Sequence, residues 1–210
     1  TAMGGFTDAT GAYSTAMGNN TDAIGYSSTA MGSNTNASGY SSTAMGNNTD
    51  AGAYCGTSLG LYNYNYVYNS TSYHASNYAL HVGNGTFSLA SSALRLRFNG
   101  DLIISGSLSQ SSDIRLKTNI TPMGNVLSSL EFITPITYEF KDTDRHPEGL
   151  QIGFSAQEIQ AQFPELVSAD EEGTLGVKYG QMSAVLLQAV KEQQEMIKKL
   201  EERITQLENN

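Results

Sequence analysis

The sequence predicts a mostly β, fibrous assembly of several chains, followed by a small α+β domain that ends in a long coiled-coil helix. Three observations predict it: a fourteen-residue repeat over residues 1–56, an abrupt change of composition near residue 111, and a heptad between residues 186 and 207.

The repeat reads TAMGGFTDATGAYS, TAMGNNTDAIGYSS, TAMGSNTNASGYSS and TAMGNNTDAGAYCG, four copies of fourteen residues. Self-similarity at this period implies stacked coils, each copy forming one coil. Fourteen residues are too few for a helical hairpin but suit two short strands and two tight turns, with Gly and Asn supplying positive φ at the turns. Side chains alternate along TAMG, so Thr and Met share one face while Ala and Gly share the other. Stacking then predicts a buried ladder of Met3, Met17, Met31 and Met45. Each coil offers about one Met and one aromatic as large apolar surface, too little for a stable single chain, and wrapping several chains around one axis solves that problem. The pattern S/T-x-A-x-G, in Ser14-Thr15-Ala16-Met17-Gly18 and again in Thr21-Asp22-Ala23-Ile24-Gly25, resembles the head repeats of trimeric autotransporter adhesins. That resemblance implies left-handed parallel β-rolls, three chains side by side. In the fourth copy Ala53 replaces the second glycine, which predicts the end of the roll.

Charge is distributed unevenly. Residues 1–110 hold four acids (Asp8, Asp22, Asp50, Asp101) and two bases (Arg95, Arg97), and most of the net charge of −9 lies beyond them. An acidic chain repels phosphate backbones and anionic lipid, which argues against nucleic acid or membrane surfaces as partners. No apolar run of about 18 residues exists to span a bilayer as a helix. Cys55 alone gives no disulfide framework, and His74, His81 and His146 lack ligand spacing, so neither a metal nor another cofactor is expected. The chain opens in mid-repeat, as a fragment of a longer protein would.

Residues 57–110 read as a tyrosine-rich connector and a β-shaft. Tyr62, Tyr64, Tyr66 and Tyr68 alternate with Asn63, Asn65 and Val67, the period of a strand. Such a stripe fits a contact to a host-surface glycan or receptor, or packing between chains; packing is preferred, because a thin shaft needs an aromatic core. ALHV, TFSL, LRLRF and DLIISGSLS follow as short strands parted by GNG and NG turns, with Arg95 and Arg97 on a solvated face.

From 111 the composition is that of a globular domain. NVLSSLEFITPITYEF mixes a short helix with a strand, a helix after Ala156 ends near Pro164, and TLGVKYGQMSAVLLQAV runs from a strand into the last helix. There Val190, Ile197 and Ile204 form one seam position and Leu186, Gln193, Leu200 and Leu207 the other, a coiled coil over about 181–210 that two or three heptads stabilise only within a trimer.

The ordered motifs SDIRLKTNI, ITPITYEF, GLQIGFSAQEI, FPELV and GTLGVKYGQMSAVLLQAVKEQ resemble the C-terminal intramolecular chaperone domain of phage endosialidase tailspikes, over residues 111–210. The resemblance implies a domain that drives homotrimer folding of the preceding fibre and then releases itself by cutting before the serine of S-D-x-R-x-K. Carried over, Ser112 is the nucleophile, Lys117 the base and Ser111–Ser112 the scissile bond. The chemistry is coherent: a serine hydroxyl needs a base within hydrogen-bond reach, and lysine serves only when neutral, which burial or a neighbouring cation favours against its ordinary pKa of about 10.4. Arg115 is a candidate source of that charge, and Asp113 a candidate to orient either partner. In an extended strand Ser112 and Lys117 point to opposite faces, so a bend or a neighbouring chain must join them.

Three functions compete. A viral, virion-borne tail fibre or spike with a self-cleaving chaperone fits both halves. A cell-surface adhesin without proteolysis fits the head repeats, although that family ends in a membrane barrel and this chain ends in KKLEERITQLENN. A polysaccharide-degrading enzyme finds no support, since residues 1–110 contain no glutamate and their aspartates sit in repeats or a turn.

Overall fold

A computed structural model describes residues 1–209. Two compact units are present: Thr1–Ser111 together with Phe140–Gly149, and Ser112–Glu139 together with the segment from Leu150 onward.

The first unit holds a ten-stranded sheet, β1 (Ala2–Gly5), β2 (Asp8–Ala9), β3 (Thr15–Ala23), β4 (Thr29–Ala37), β5 (Thr43–Asn47), β6 (Asp50–Ala51), β7 (Thr57–Leu61), β8 (Tyr78–Asn84), β9 (Ser92–Arg97) and β10 (Leu102–Ile104). Pairing from β1 to β8 is parallel, and as far as β7 it moves down one fourteen-residue copy at a time, Met3 on Met17, Met17 on Met31 and Met31 on Met45. About four turns of chain thus stack as a solenoid. Leu59 then stands on Met45, and Val82 on Leu59, so the first ribbon runs past the last repeat while the second ribbon stops at β6.

The methionine ladder exists, but it faces outward. Met3, Met17 and Met45 are 58%, 39% and 37% exposed in the single chain, whereas Ala16, Ala30 and Ala44 face Ala23, Ala37 and Ala51 in a fully enclosed interior. The expected burial of methionine within the roll is therefore wrong. Two strands of one short coil approach so closely that only Ala, Ser and Thr fit between them. Tyr26, Tyr40 and Tyr54 also stack outside the coils, with ring centroids 4.8 and 5.7 Å apart.

The corners also differ from expectation. Asn20, Asn34 and Asn48 turn one corner at positive φ, but Tyr13, Ser27, Ser41 and Cys55 turn the other at φ of 52–61°. The glycines serve close approach instead. Gly32, at φ +128°, would bring a Cβ within 2.0 Å of the Gly46 carbonyl oxygen, and Gly25 would meet Gly39 in the same way.

Residues 63–77 contain no strand, which corrects the reading of the tyrosine stretch. Asparagine does the structural work there. Asn63 accepts from the Asp50 backbone N–H at 2.8 Å and donates to the Asp50 carbonyl at 2.9 Å, imitating the peptide group of a further coil. The open edge of β6 is covered by a side chain. Asn77, fully buried, accepts from the N–H groups of Tyr68 and Asn69 and donates to the Asn69 carbonyl. Tyr64, Tyr66 and Tyr68 remain exposed.

β8, β9 and β10 form an antiparallel meander, and TFSL is a turn closed by the Thr86–Leu89 bridge. Arg95 and Arg97 are not simply solvated: both guanidinium groups lie over the Tyr78 ring, at 6.0 and 5.6 Å, and Arg97 pairs with Asp101 at 3.3 Å. His81 is buried between Ser92 and Asn63, while His74 stacks on Tyr68 and His146 on Phe140.

The second unit contains a 3-10 turn (Ile114–Leu116), helix α1 (Leu127–Leu130), hairpin β11 (Pro135–Tyr138) with β12 (Gln151–Phe154), helix α2 (Ala156–Gln162), hairpin β13 (Val167–Ala169) with β14 (Leu175–Val177), and helix α3 (Tyr179–Glu208). Ser155 caps α2 by accepting from Glu158 N–H at 3.4 Å, and the Glu158 carboxylate accepts from Thr134 N–H at 2.9 Å. This S-x-x-E start, followed by Pro164 beyond the last turn, is why the helix occupies those residues. Val126, Ile133, Ile159, Phe163 and Leu166 form the core against Met182, Val185 and Ala189 of α3. One turn further along α3, Glu192 accepts from the N–H groups of Val126 and Leu127 at 2.9 and 3.2 Å. The seam of Leu186, Val190, Ile197, Leu200, Ile204 and Leu207 is exposed along its whole length in the single chain.

Two stability measurements check this architecture. Gly32→Ala should cost roughly 3 kcal/mol or more, because strained φ and a backbone collision add; Gly106→Ala, with nothing within 4 Å, should leave the thermal midpoint unchanged. Burial, with Arg95 nearby, lowers the His81 pKa to about 4 from its ordinary 6.5. The unfolded chain therefore takes up a proton before the folded one does. Stability should fall as pH drops from 6.5 towards 4 and be independent of His81 above that window. His81→Asn, which keeps an acceptor for Asn63, should remove that share of the pH dependence in thermal melts.

Candidate functional site

The candidate site lies at the start of the second unit, on the short 3-10 turn. Residues 105–125 are exposed throughout in the single chain, so the site is shaped by local bonding rather than by packing. Asp113 starts the turn. Its Oδ1 accepts from Arg115 backbone N–H at 2.9 Å, while its carbonyl accepts from Leu116 N–H at 3.1 Å. Lys117 N–H closes the turn on the Ile114 carbonyl at 3.1 Å.

This turn reverses the geometry of an extended strand. With residues 114–116 wound up, Lys117 returns to the side of Ser112, and Lys117 Nζ donates to Ser112 Oγ at 2.8 Å. A bend of a single turn within one chain thus brings the two residues into contact. Arg115 points elsewhere: its Nη2 donates to Asp113 Oδ2 at 2.6 Å, and its Nε is shared between Oδ2 at 3.0 Å and Oδ1 at 3.1 Å. The Arg115 side chain, and then its backbone N–H, hold the Asp113 carboxyl below the usual carboxylate range. Asp113 consequently caps the turn and neutralises Arg115 rather than bonding to the serine or the lysine. The cationic charge expected from Arg115 is already compensated. Ile114 and Leu116, within the turn, and Ile120 beyond it carry their apolar side chains in solvent.

Chemically, a hydroxyl and an amine at hydrogen-bond distance form a nucleophile and base once the amine is neutral. Ser112 Oγ belongs to the residue that follows the Ser111–Ser112 bond, so attack on the Ser111 carbonyl closes a five-membered ring. Among the described residues no group of three His, Cys, Asp or Glu is arranged to hold a metal ion, and no helix is long and apolar enough to cross a membrane.

Residues 112–168 match the family model of the chaperone of endosialidase, a peptidase family. Residues 1–21 and 23–49 match two copies of the YadA head domain repeat. The chain therefore joins adhesin-type head repeats to an endosialidase-type chaperone segment, and that segment starts at Ser112 itself. A search of curated proteins finds no match.

The geometry around Asn63 and Asn77 was not anticipated from the sequence. The alternation of Asn63 and Asn65 through the tyrosine stretch is its sequence signal, since Asn side chains can replace a missing backbone partner.

Proposed function

We propose that this chain is a segment of a phage tail fibre or spike whose C-terminal domain promotes homotrimer folding and then detaches by cutting the Ser111–Ser112 bond. The observation that carries the reading is the 2.8 Å contact between Lys117 Nζ and Ser112 Oγ, at the first residue of the matched chaperone segment. Both matched families are trimeric. The exposed methionine ladder and the exposed α3 seam are the surfaces a trimer would cover, the latter as a coiled coil. An extracellular or virion location fits both matches.

In this mechanism neutral Lys117 removes the Ser112 hydroxyl proton as Oγ attacks the Ser111 carbonyl carbon. The Ser112 nitrogen leaves, taking the proton back from Lys117, and an ester joins Ser111 to Ser112 Oγ. Water, deprotonated by Lys117, then hydrolyses the ester to a Ser111 carboxylate and restores the Ser112 hydroxyl. The reaction is a single turnover on the chain's own bond, with no external substrate. A neutral amine is favoured by removal of water. Both groups are exposed in the single chain, so packing of neighbouring chains against Ile114, Leu116 and Ile120 would supply that removal and delay the cut until assembly.

A second reading, a trimeric adhesin or structural fibre without proteolysis, is favoured by the head repeats alone. In it the exposed column of Tyr26 and Tyr40 would face a host glycan or receptor.

Expression of the full chain should give a fragment of residues 112–210 beginning with serine, identified by intact mass and N-terminal sequencing. Ser112→Ala, Lys117→Ala and Lys117→Arg should each leave one uncut chain, the last because guanidinium stays protonated. Light scattering of the Ser112→Ala chain should give the mass of three chains. A wild-type trimer that remains full-length for days would exclude the peptidase and leave the fibre.

A further inference from the structure

The hydrogen bond between Ser112 and Lys117 is held by nothing outside the six residues from Ser112 to Lys117. No packed side chain supports it, since every residue from 105 to 125 is exposed. What fixes its geometry is the 3-10 turn, and that turn is fixed at its start by one carboxylate. Asp113 Oδ1 accepts the Arg115 N–H that the turn leaves without a backbone partner, at 2.9 Å. Both Asp113 oxygens also bond to the Arg115 guanidinium, which favours the capping orientation of the carboxylate. Remove the cap, and residues 113–116 relax towards an extended chain, in which Ser112 and Lys117 lie on opposite faces.

We infer that Asp113 is a positioning residue, which assembles the Ser112–Lys117 pair within a single chain by capping the turn between them. This rests on the peptidase reading above. Asp113 touches neither reacting atom; it acts through the backbone. Its essential feature is an acceptor oxygen three bonds from Cα, and its negative charge is secondary. The base serving each Ser112 then comes from the same chain, and neighbouring chains contribute desolvation but no catalytic side chain.

The test uses the full chain. Asp113→Ala should assemble normally but cut at least about tenfold more slowly, since misplacement of reacting groups by about 1 Å has effects of that size or larger. Asp113→Asn keeps the acceptor oxygen and should restore cutting to within about threefold of wild type. A purely structural role would leave cutting proportional to the amount of trimer, so the rate is read per assembled trimer. Should Asp113→Ala fail to assemble, Asp113→Glu replaces it: its oxygen lies one carbon further out, and the same slow cutting is expected. Co-expression of Ser112→Ala chains with Lys117→Ala chains, differently tagged, should give mixed trimers that stay uncut. Cutting in those mixed trimers would show that lysine is supplied across chains and overturn the inference. So would Asp113→Ala cutting at the wild-type rate, or Asp113→Asn being as slow as Asp113→Ala. If wild type does not cut at all, the peptidase reading has failed on its own. The positioning claim is then decided by crystal structures of the uncut chain, where the Nζ–Oγ contact should persist with Asp113 and be lost in Asp113→Ala.

Discussion

The narrow interior of a fourteen-residue coil is the constraint on which the remainder depends. Two short strands facing each other leave room for Ala16, Ala23, Ala30, Ala37, Ala44 and Ala51 and for the buried Ser and Thr of each coil, but for no larger side chain. Alanine burial contributes a small apolar term, so the larger apolar groups of each repeat have no inside to enter. Met3, Met17 and Met45 face outward as a ladder, and Tyr26, Tyr40 and Tyr54 stack on the outside of the coils. An exposed apolar ladder of this kind is the mark of an interaction surface. On this account oligomerisation is built into the repeat length itself.

The second unit has the complementary property. It owns a compact core around Ile159, Phe163 and Val185, yet it leaves the seam from Leu186 to Leu207 in solvent. α3 thus has two apolar faces, with Met182, Val185 and Ala189 turned to the domain and the adjacent one exposed. Self-processing fits between these two requirements. A lysine amine becomes a base when water is withdrawn from it, and on the proposed reading assembly would withdraw that water. The Ser112–Lys117 contact exists before assembly because it is made by a capped turn. Its reactivity would arrive only with neighbouring chains.

Much of this was legible in the sequence because periodicity and capping are local. The fourteen-residue register, the helix from Ala156 to Gln162 and the long helix from Tyr179 follow from repeats, Ser155, Glu158 and Pro164. The direction of the methionine face was not legible. Alternation gives two faces without saying which is inside, and the answer depends on strand separation within a coil. The tyrosine stretch failed for a similar reason. Period-2 alternation of Tyr and Asn imitates a strand, whereas Asn63 and Asn77 serve as substitutes for backbone partners. The contact of Ser112 with Lys117 was not legible as a geometry, because it follows from a turn that Asp113 caps, whereas the sequence alone assigned Asp113 to the side chains beside it.

The claim most exposed to contradiction is that cutting waits for assembly. A chain carrying Ile197→Asp and Leu200→Asp keeps Ser112, Asp113 and Lys117 but should lose the seam of α3. Its mass by light scattering and its cut fraction by intact-mass spectrometry would be followed together, beside the wild-type chain. The account predicts that wild-type trimers yield the fragment starting at Ser112, while the separated monomer stays whole. A monomer that cuts between Ser111 and Ser112 at the wild-type rate would contradict it.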